Sequence, residues 1–218
     1  MNNRLVNQVM ICKKHMDITV FRANGAQWFC VGPAAYAAYG LPELTTSEQV
    51  LTMLDVPAEE QEKFTVRFTG IDSPEHFFDT EEGEQPLRDV DYTFMQRGRY
   101  LSPLYDDSGA VWWLNERYLA PLGAGEITYW LRPSAIGYDI AVKKGYAIQA
   151  VIGIHLATSE VEESLHEMMT GSAIGWRKGY RVPKETVEKM NGLQMMVYIG
   201  TEPQTGEEDE EYEQEELA

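Results

Sequence analysis

Apolar positions along this chain recur with two periods, and the period sets the element predicted. Alternation every second residue marks a half-buried strand, and recurrence at three and four residues marks an amphipathic helix. Ile18-Thr19-Val20-Phe21 is β-branched and aromatic, hence extended. Asn24-Gly25 then supplies a tight turn and Trp28-Phe29-Cys30-Val31 a return strand, which together predict a β-hairpin. Phe64, Val66 and Phe68 alternate with Thr65, Arg67 and Thr69, the cleanest strand signal of the first half. Val90, Tyr92 and Phe94 alternate likewise, and Leu5 to Ile11 reads as a further strand. Residues 98–104 read as irregular, with Tyr100 and Leu101 packed. Ile127 to Leu131 is strand-like and ends at Pro133. Tyr138 to Val142, a Lys143-Lys144-Gly145 turn and Tyr146 to Ile154 form the strongest hairpin, its second strand apolar enough to be central. Leu193 to Ile199 is the last strand.

Helical signals are fewer and shorter. Pro33 opens and Gly40 closes a short helix over Ala34 to Tyr39. Thr45, with Glu48 three residues on, has capping-box spacing ahead of Val50, Leu51 and Leu54. Pro57 opens a short turn through Glu60. Ser159 and Glu162 repeat the capping box before Val161, Leu165, Met168 and Met169, and Gly171 stops that helix. A further short helix begins at Val182-Pro183 and ends at Asn191-Gly192.

The stretch from Ala110 to Leu122 is the expected structural centre. Val111-Trp112-Trp113-Leu114 forms a strand, Asn115 caps the helical turn after it, and Glu116 lies in the positively polarised first turn. Neighbouring strand residues face opposite sides, so Trp112 and Trp113 cannot both enter one core from a regular strand. Either both faces are covered, or a bulge turns one indole, or one indole serves an interface.

These elements give an α+β protein with mixed or mainly antiparallel sheets and short helices, followed by a disordered acidic C-terminal tail. The acidic loop at 79–86, which ends in Pro86, is the expected boundary between an N-terminal subdomain, 1–78, and a C-terminal one, 87–200. One continuous domain over 1–200 is the alternative, and 201–218 is the tail.

Charge narrows the function. The 218 residues carry 18 Lys and Arg against 35 Asp and Glu, a net charge of −17. Nine of those acids, and no base, follow Thr201. A field of this sign repels phosphate backbones and attracts basic protein surfaces, including those that normally hold nucleic acid. No secretory signal follows Met1 and no apolar run approaches the length of a membrane span, so a cytoplasmic, non-membrane protein is expected. Cys12 and Cys30 form no disulfide framework, although a bond between them stays open.

Candidate chemistry is sparse. His15, His76, His155 and His166 have no metal-ligand spacing with either cysteine, so no metal and no cofactor are expected. Asp72, Glu75 and His76 crowd two carboxylates and an imidazole around Ser73-Pro74, a weak acid–base candidate against a plain capped turn. His155 ends an apolar strand, where a rigid element can present it. Gly171 to Gly175 lacks the lysine and glycine density of a phosphate loop, and no nucleophile elbow occurs, so no catalytic residue is assigned. Trp176 and Tyr180 interleave with Arg177, Lys178 and Arg181, the one basic–aromatic segment. The interface candidates are therefore Trp112, Trp113, Trp176 and Tyr180, and the candidate nucleic-acid contacts are Arg177, Lys178 and Arg181.

From Ile18 to Leu54 the order is strand, Asn24-Gly25 turn, Trp28-Phe29, then a short Ala-rich helix ending in Tyr39-Gly40 and a second helix. This resembles the opening of the N-terminal, BRO-N type domain of phage and baculovirus antirepressors. Asn115-Glu116 followed by Tyr118-Leu119 is similar to the Asn-Glu-x-Gly-Leu-Tyr segment of that domain, here without its glycine. Gly32-Pro33 stands where the family has an acid, and the family's later arginine-rich portion has no counterpart. The resemblance implies a phage or mobile-element origin and either DNA binding or regulatory contacts. Composition favours the second. The expected function is that of a non-catalytic accessory or regulatory protein acting through protein contacts, in its sharper form an acidic inhibitor of a host nucleic-acid-binding protein. The alternatives are an antirepressor-like nucleic-acid binder, a self-associating structural protein and an enzyme of unknown class.

Overall fold

The computed structural model describes residues 14–171 except Asp91 and Ile136, without the side chains of 166–171. The expected strand at 5–11, the helix at 182–191, the strand at 193–199 and the acidic tail lie outside the described residues. So do Cys12, Trp176, Arg177, Lys178, Tyr180 and Arg181.

The first hairpin forms as its turn chemistry dictates. Strand β1 (Asp17–Ala23) returns as β2 (Ala26–Val31), with Ala23 opposite Ala26 and the turn made by Asn24 and Gly25. Both turn residues have positive φ, 49° and 67°, which asparagine tolerates and glycine adopts freely. Strand β4 (Thr65–Phe68) then lies parallel to β1 at the edge of the sheet.

Residues 34–37 correct the expected helix. Ala34–Ala37 is strand β3, paired on one side with β2 and on the other with β11 (Ala147–Gly153). A helix this short does not repay its nucleation cost, whereas both neighbours supply hydrogen bonds to a strand. All four residues are buried, and the small alanines let the flanking strands close on both faces. Gly32, at φ 54° with His15 Cε1 3.1 Å from where a Cβ would stand, makes the preceding turn a glycine position.

The remaining strands are β5 (Gln85–Asp89), β6 (Phe94–Gln96), β7 (Arg99–Tyr105), β8 (Val111–Asn115), β9 (Thr128–Ser134) and β10 (Gly137–Lys144). The sheet runs β4-β1-β2-β3-β11-β10-β9-β5-β7-β6, with β8 on the second edge of β7. Just past β11, the His155 amide donates to the Trp113 carbonyl at 2.8 Å. That bridge closes a barrel-like ring of β11, β10, β9, β5, β7 and β8. The architecture is a mixed, mostly antiparallel sheet with few, short helices, in agreement with the α+β expectation.

Four strand assignments are corrected. The strand expected over Val90, Tyr92 and Phe94 is broken, since β5 ends at Asp89 and β6 begins at Phe94. Residues 99–105 are regular strand rather than irregular. Pro103 falls between the segments of β7 paired to β6 and to β5, where the ladder places fewer demands on an amide. Tyr100 is exposed and only Leu101 is buried. Strand β9 runs past Pro133, which lies opposite Tyr138. Lys143 is not in a turn: β10 continues through a register shift after Val142, and Gly145-Tyr146 makes the turn.

Helix α1 (Ser47–Met53) carries the expected capping box one residue later than the sequence spacing suggested. Thr46 is the cap and accepts from the Gln49 amide, while the Gln49 side chain accepts from the Thr46 amide. Helix α2 (Ser159–Gly171) lays Val161 and Leu165 over Leu101, Tyr105 and Trp113. On β8, Trp112 joins the main core of Ile140, Val142, Leu104 and Leu114, whereas Trp113 joins the cluster under α2. Both faces of the strand are therefore covered, and the two indoles are 5% and 3% exposed.

Candidate functional site

The segment 70–84 crosses the second face of β9, β10 and β11, and it brings one candidate from the sequence into an unexpected setting. Pro74–Phe77 forms a single 3-10 turn, which buries His76 and Phe77 and leaves Asp72 and Glu75 exposed. Phe77 stacks edge-on against Phe21 and Trp28, at 4.8 and 4.9 Å between ring centroids. The cluster expected from Asp72, Glu75 and His76 is thus not assembled. His76 instead places Nδ1 3.1 Å from Glu81 and Nε2 3.3 Å from Asp139.

Around this histidine lies a buried set of charges. Arg132 and Asp139 stand directly opposite one another on β9 and β10, on the same face as Lys143. Arg132 is fully buried and donates to Glu84, to the His76 carbonyl at 2.7 Å and to the Asp79 carbonyl at 3.4 Å. Lys143 donates to the other oxygen of Glu84 at 2.6 Å and sits 4.4 Å from the centroid of the Trp130 ring. The Asp79 carboxylate accepts from the Ile148 amide. Charges taken this far from water are tolerated only when paired and hydrogen-bonded, and Arg132, Lys143 and Glu84 are. Side-chain exposures of 0–13% leave a substrate no approach. The chemistry available here is fastening: the acids of the loop clamp it onto cations standing on the strands.

A different surface is open. The β6–β7 hairpin turns through Arg97 and Gly98, both at positive φ. Met95 and Tyr100 face each other across it, 70% and 58% exposed, with Tyr92 also exposed nearby in sequence. Arg97 and Arg99 flank the turn in solvent. The turn Glu116–Tyr118 packs against β7 and presents Arg117, whose guanidinium bonds His15 Nε2 at 3.2 Å and lies over the Tyr118 ring. As expected, Asn115 caps this turn by accepting from the Arg117 amide. Glu116 is held by the hydroxyls of Ser102 and Thr93.

Titration is perturbed around this end of the molecule. Burial lowers the His155 imidazole below its ordinary value, and Arg99 lowers it further. His15 is lowered by burial, then by Arg117 and Lys14. Burial raises the Tyr118 hydroxyl against the opposing pull of Arg117 and Arg99, so both cations act on one group. Burial pushes Tyr105 up to about 12. Burial also raises Asp106, but bonds from Ser108, the Trp112 indole and two backbone amides outweigh it and hold the carboxyl low.

Sequence reading missed both constellations. The buried one was signalled by Arg132, Asp139 and Lys143 standing in otherwise apolar strands, opposite a loop rich in acids. The exposed one was signalled by an Arg-Gly turn between Met95 and Tyr100. Among the described residues, no group of three His, Cys, Asp or Glu side chains is placed to hold a metal ion, and no helix is long and apolar enough to cross a membrane. No protein-family model, curated protein or solved structure matches this chain.

Proposed function

We propose that this chain is a non-catalytic accessory or regulatory protein that acts through protein–protein contacts, with the β6–β7 hairpin as its contact surface. One observation carries the reading: Met95 and Tyr100 form an exposed cross-strand pair at the open edge of the sheet, with Arg97 and Arg99 beside them. Aromatic residues, methionine and arginine are the types enriched where interfaces desolvate. The buried charges support the same reading, because they are spent on holding the 70–84 segment.

The net charge of −17 favours approach to a basic partner surface over nucleic acid. In its sharpest form the protein is a phage-type inhibitor that presents its acidic surface, not the arginines of the hairpin, to the basic face of a nucleic-acid-binding protein, with Met95 and Tyr100 supplying apolar contact. Affinity capture from a host lysate, with the intact chain and with a Met95→Asp/Tyr100→Asp variant, tests the surface. A partner held by the intact chain and lost by the folded variant supports it, and identical captures overturn it. Retention of DNA by the intact chain in a low-salt gel shift would favour the antirepressor-like alternative instead. A mass that rises with concentration in light scattering would favour self-assembly.

A further inference from the structure

Among the described residues, six of the eleven Lys and Arg side chains lie within ion-pair distance of a carboxylate, and the other five are Lys14, Arg97, Arg99, Arg117 and Lys144. Arg22 pairs with Glu43, Arg67 with Asp17, Arg88 with Asp107, and Arg132 and Lys143 with Glu84. Arg97, Arg99 and Arg117 are different: among the described residues, none of them lies within ion-pair distance of a carboxylate. All three are exposed and they gather at one end of the sheet, two on the β6–β7 hairpin and one on the turn packed against β7. The nearest acid in sequence, Glu116, is engaged by Ser102 and Thr93.

The chain outside the described residues contains the complement. Residues 207–216 hold eight acids and no base. The helix that leads towards this segment begins beside the hairpin. Gln96 of β6 accepts from the Thr158 amide and donates to the Leu156 carbonyl, which fixes the start of α2 against the hairpin. From Gly171 to Glu207 the chain can extend on the order of 100 Å, far more than a return to the hairpin requires.

We propose that Arg97, Arg99 and Arg117 form a polycarboxylate-binding surface, and that its occupant is the acidic segment 202–216 of the same chain. Guanidinium forks match carboxylates, and a run of adjacent acids lets several engage at once without one fixed register. Each contact is solvent-exposed, so the association weakens as salt rises. The inference goes beyond the partner reading and stands without it, since the contact forms in the isolated protein.

Amide spectra of the full chain test the proposal. They are compared with those of a full-length variant in which the eight acids of 207–216 are replaced by their amides. The expected differences concentrate at Arg97, Gly98, Arg99, Tyr100 and Arg117 and vanish at high salt. Differences confined to the tail overturn the proposal. A nitroxide at Tyr212→Cys in a Cys12→Ser background adds a distance readout, with Cys30 buried away from the reagent. It should broaden the hairpin amides in dilute solution, and Arg97→Gln/Arg99→Gln should restore them. Broadening seen only when labelled and isotope-enriched copies are mixed would make the contact intermolecular and sink the proposal as stated. So would a single-stranded oligonucleotide that shifts the arginine amides equally in the intact chain and the neutralised variant. If the lysate capture fails while these results hold, the partner reading falls and the tail contact stands.

Discussion

Glu84 holds Arg132 through a single oxygen: Oε2 accepts from Nε at 3.0 Å and from Nη2 at 2.7 Å, leaving Oε1 for Lys143 at 2.6 Å. One carboxylate therefore compensates two buried cations. Replacing it strands Lys143 and leaves Arg132 only the more distant Glu81, at 3.6 Å. Glu84→Gln should cost about 3–5 kcal/mol, the range seen when one partner of a buried pair is removed. Urea denaturation measures this, and a loss under about 1 kcal/mol, the worth of an exposed pair, would show that the network is not what fastens the 70–84 segment.

The two tryptophans of β8 should behave alike in stability although they serve different clusters. Trp112→Ala opens the main core and Trp113→Ala opens the packing beneath α2, so each should cost about 3–5 kcal/mol. Trp112→Phe isolates a smaller effect, because it removes the indole donor from Asp106 while keeping most of the volume. The Asp106 carboxyl should then titrate higher in that variant, as followed by NMR. An alanine variant at either position that unfolds like the parent would return that indole to the list of interface residues.

At the start of α1, Thr46 rather than Thr45 should matter. Thr46→Ala deletes the hydroxyl that accepts from the Gln49 amide and should cost about 1 kcal/mol. Thr45→Ala should be nearly silent, because the backbone amide of residue 45 keeps its bond to the Gln49 side chain. Thermal denaturation of the two variants decides the register of the cap, and equal losses would contradict it.

Acid should loosen the molecule through His155 and His15. His155 is lowered below its ordinary 6.5 by burial and by Arg99, so the unfolded chain takes up a proton more readily than the folded one. Stability then rises with pH through this window. The penalty is absent above 6.5 and grows as pH falls towards the lower folded value. His15, lowered mainly by burial, acts in the same direction. Denaturant midpoints between pH 7 and 5 should fall more steeply for the parent than for His155→Gln. Parallel profiles would remove His155 as a contributor.

Much of the fold was readable where local chemistry and final environment agree. Asn24-Gly25 turns as its residues require, and Asn115 caps as its neighbours suggest. The failures fall where a distant strand decides. Ala34–Ala37 has helical composition and a proline start, yet β2 and β11 bracket it, and no local pattern announces them. Lys143 looks like a turn residue until Glu84, far away in sequence, provides the carboxylate that allows it to be buried. The site was less legible still. Asp72, Glu75 and His76 are neighbours in sequence, but the 3-10 turn points only His76 inwards, and its partners Glu81 and Asp139 come from a loop and a strand read as unrelated. Exposure of Met95 and Tyr100 was hidden because residues 98–104 show no alternation to mark β7, so nothing local pairs Tyr100 with Met95 on an open face.

The pairing of Ala34 with Ile152, at the junction of β3 and β11, has a consequence for synthesis. A chain emerging from the ribosome presents β3 long before β11 exists, and β10 follows with its own edge bare. Until Ala147 and its successors appear, two strands that are interior in the finished sheet offer unsatisfied backbone to any neighbour. The interval between translating β3 and translating β11 is therefore a period of exposure to misassembly.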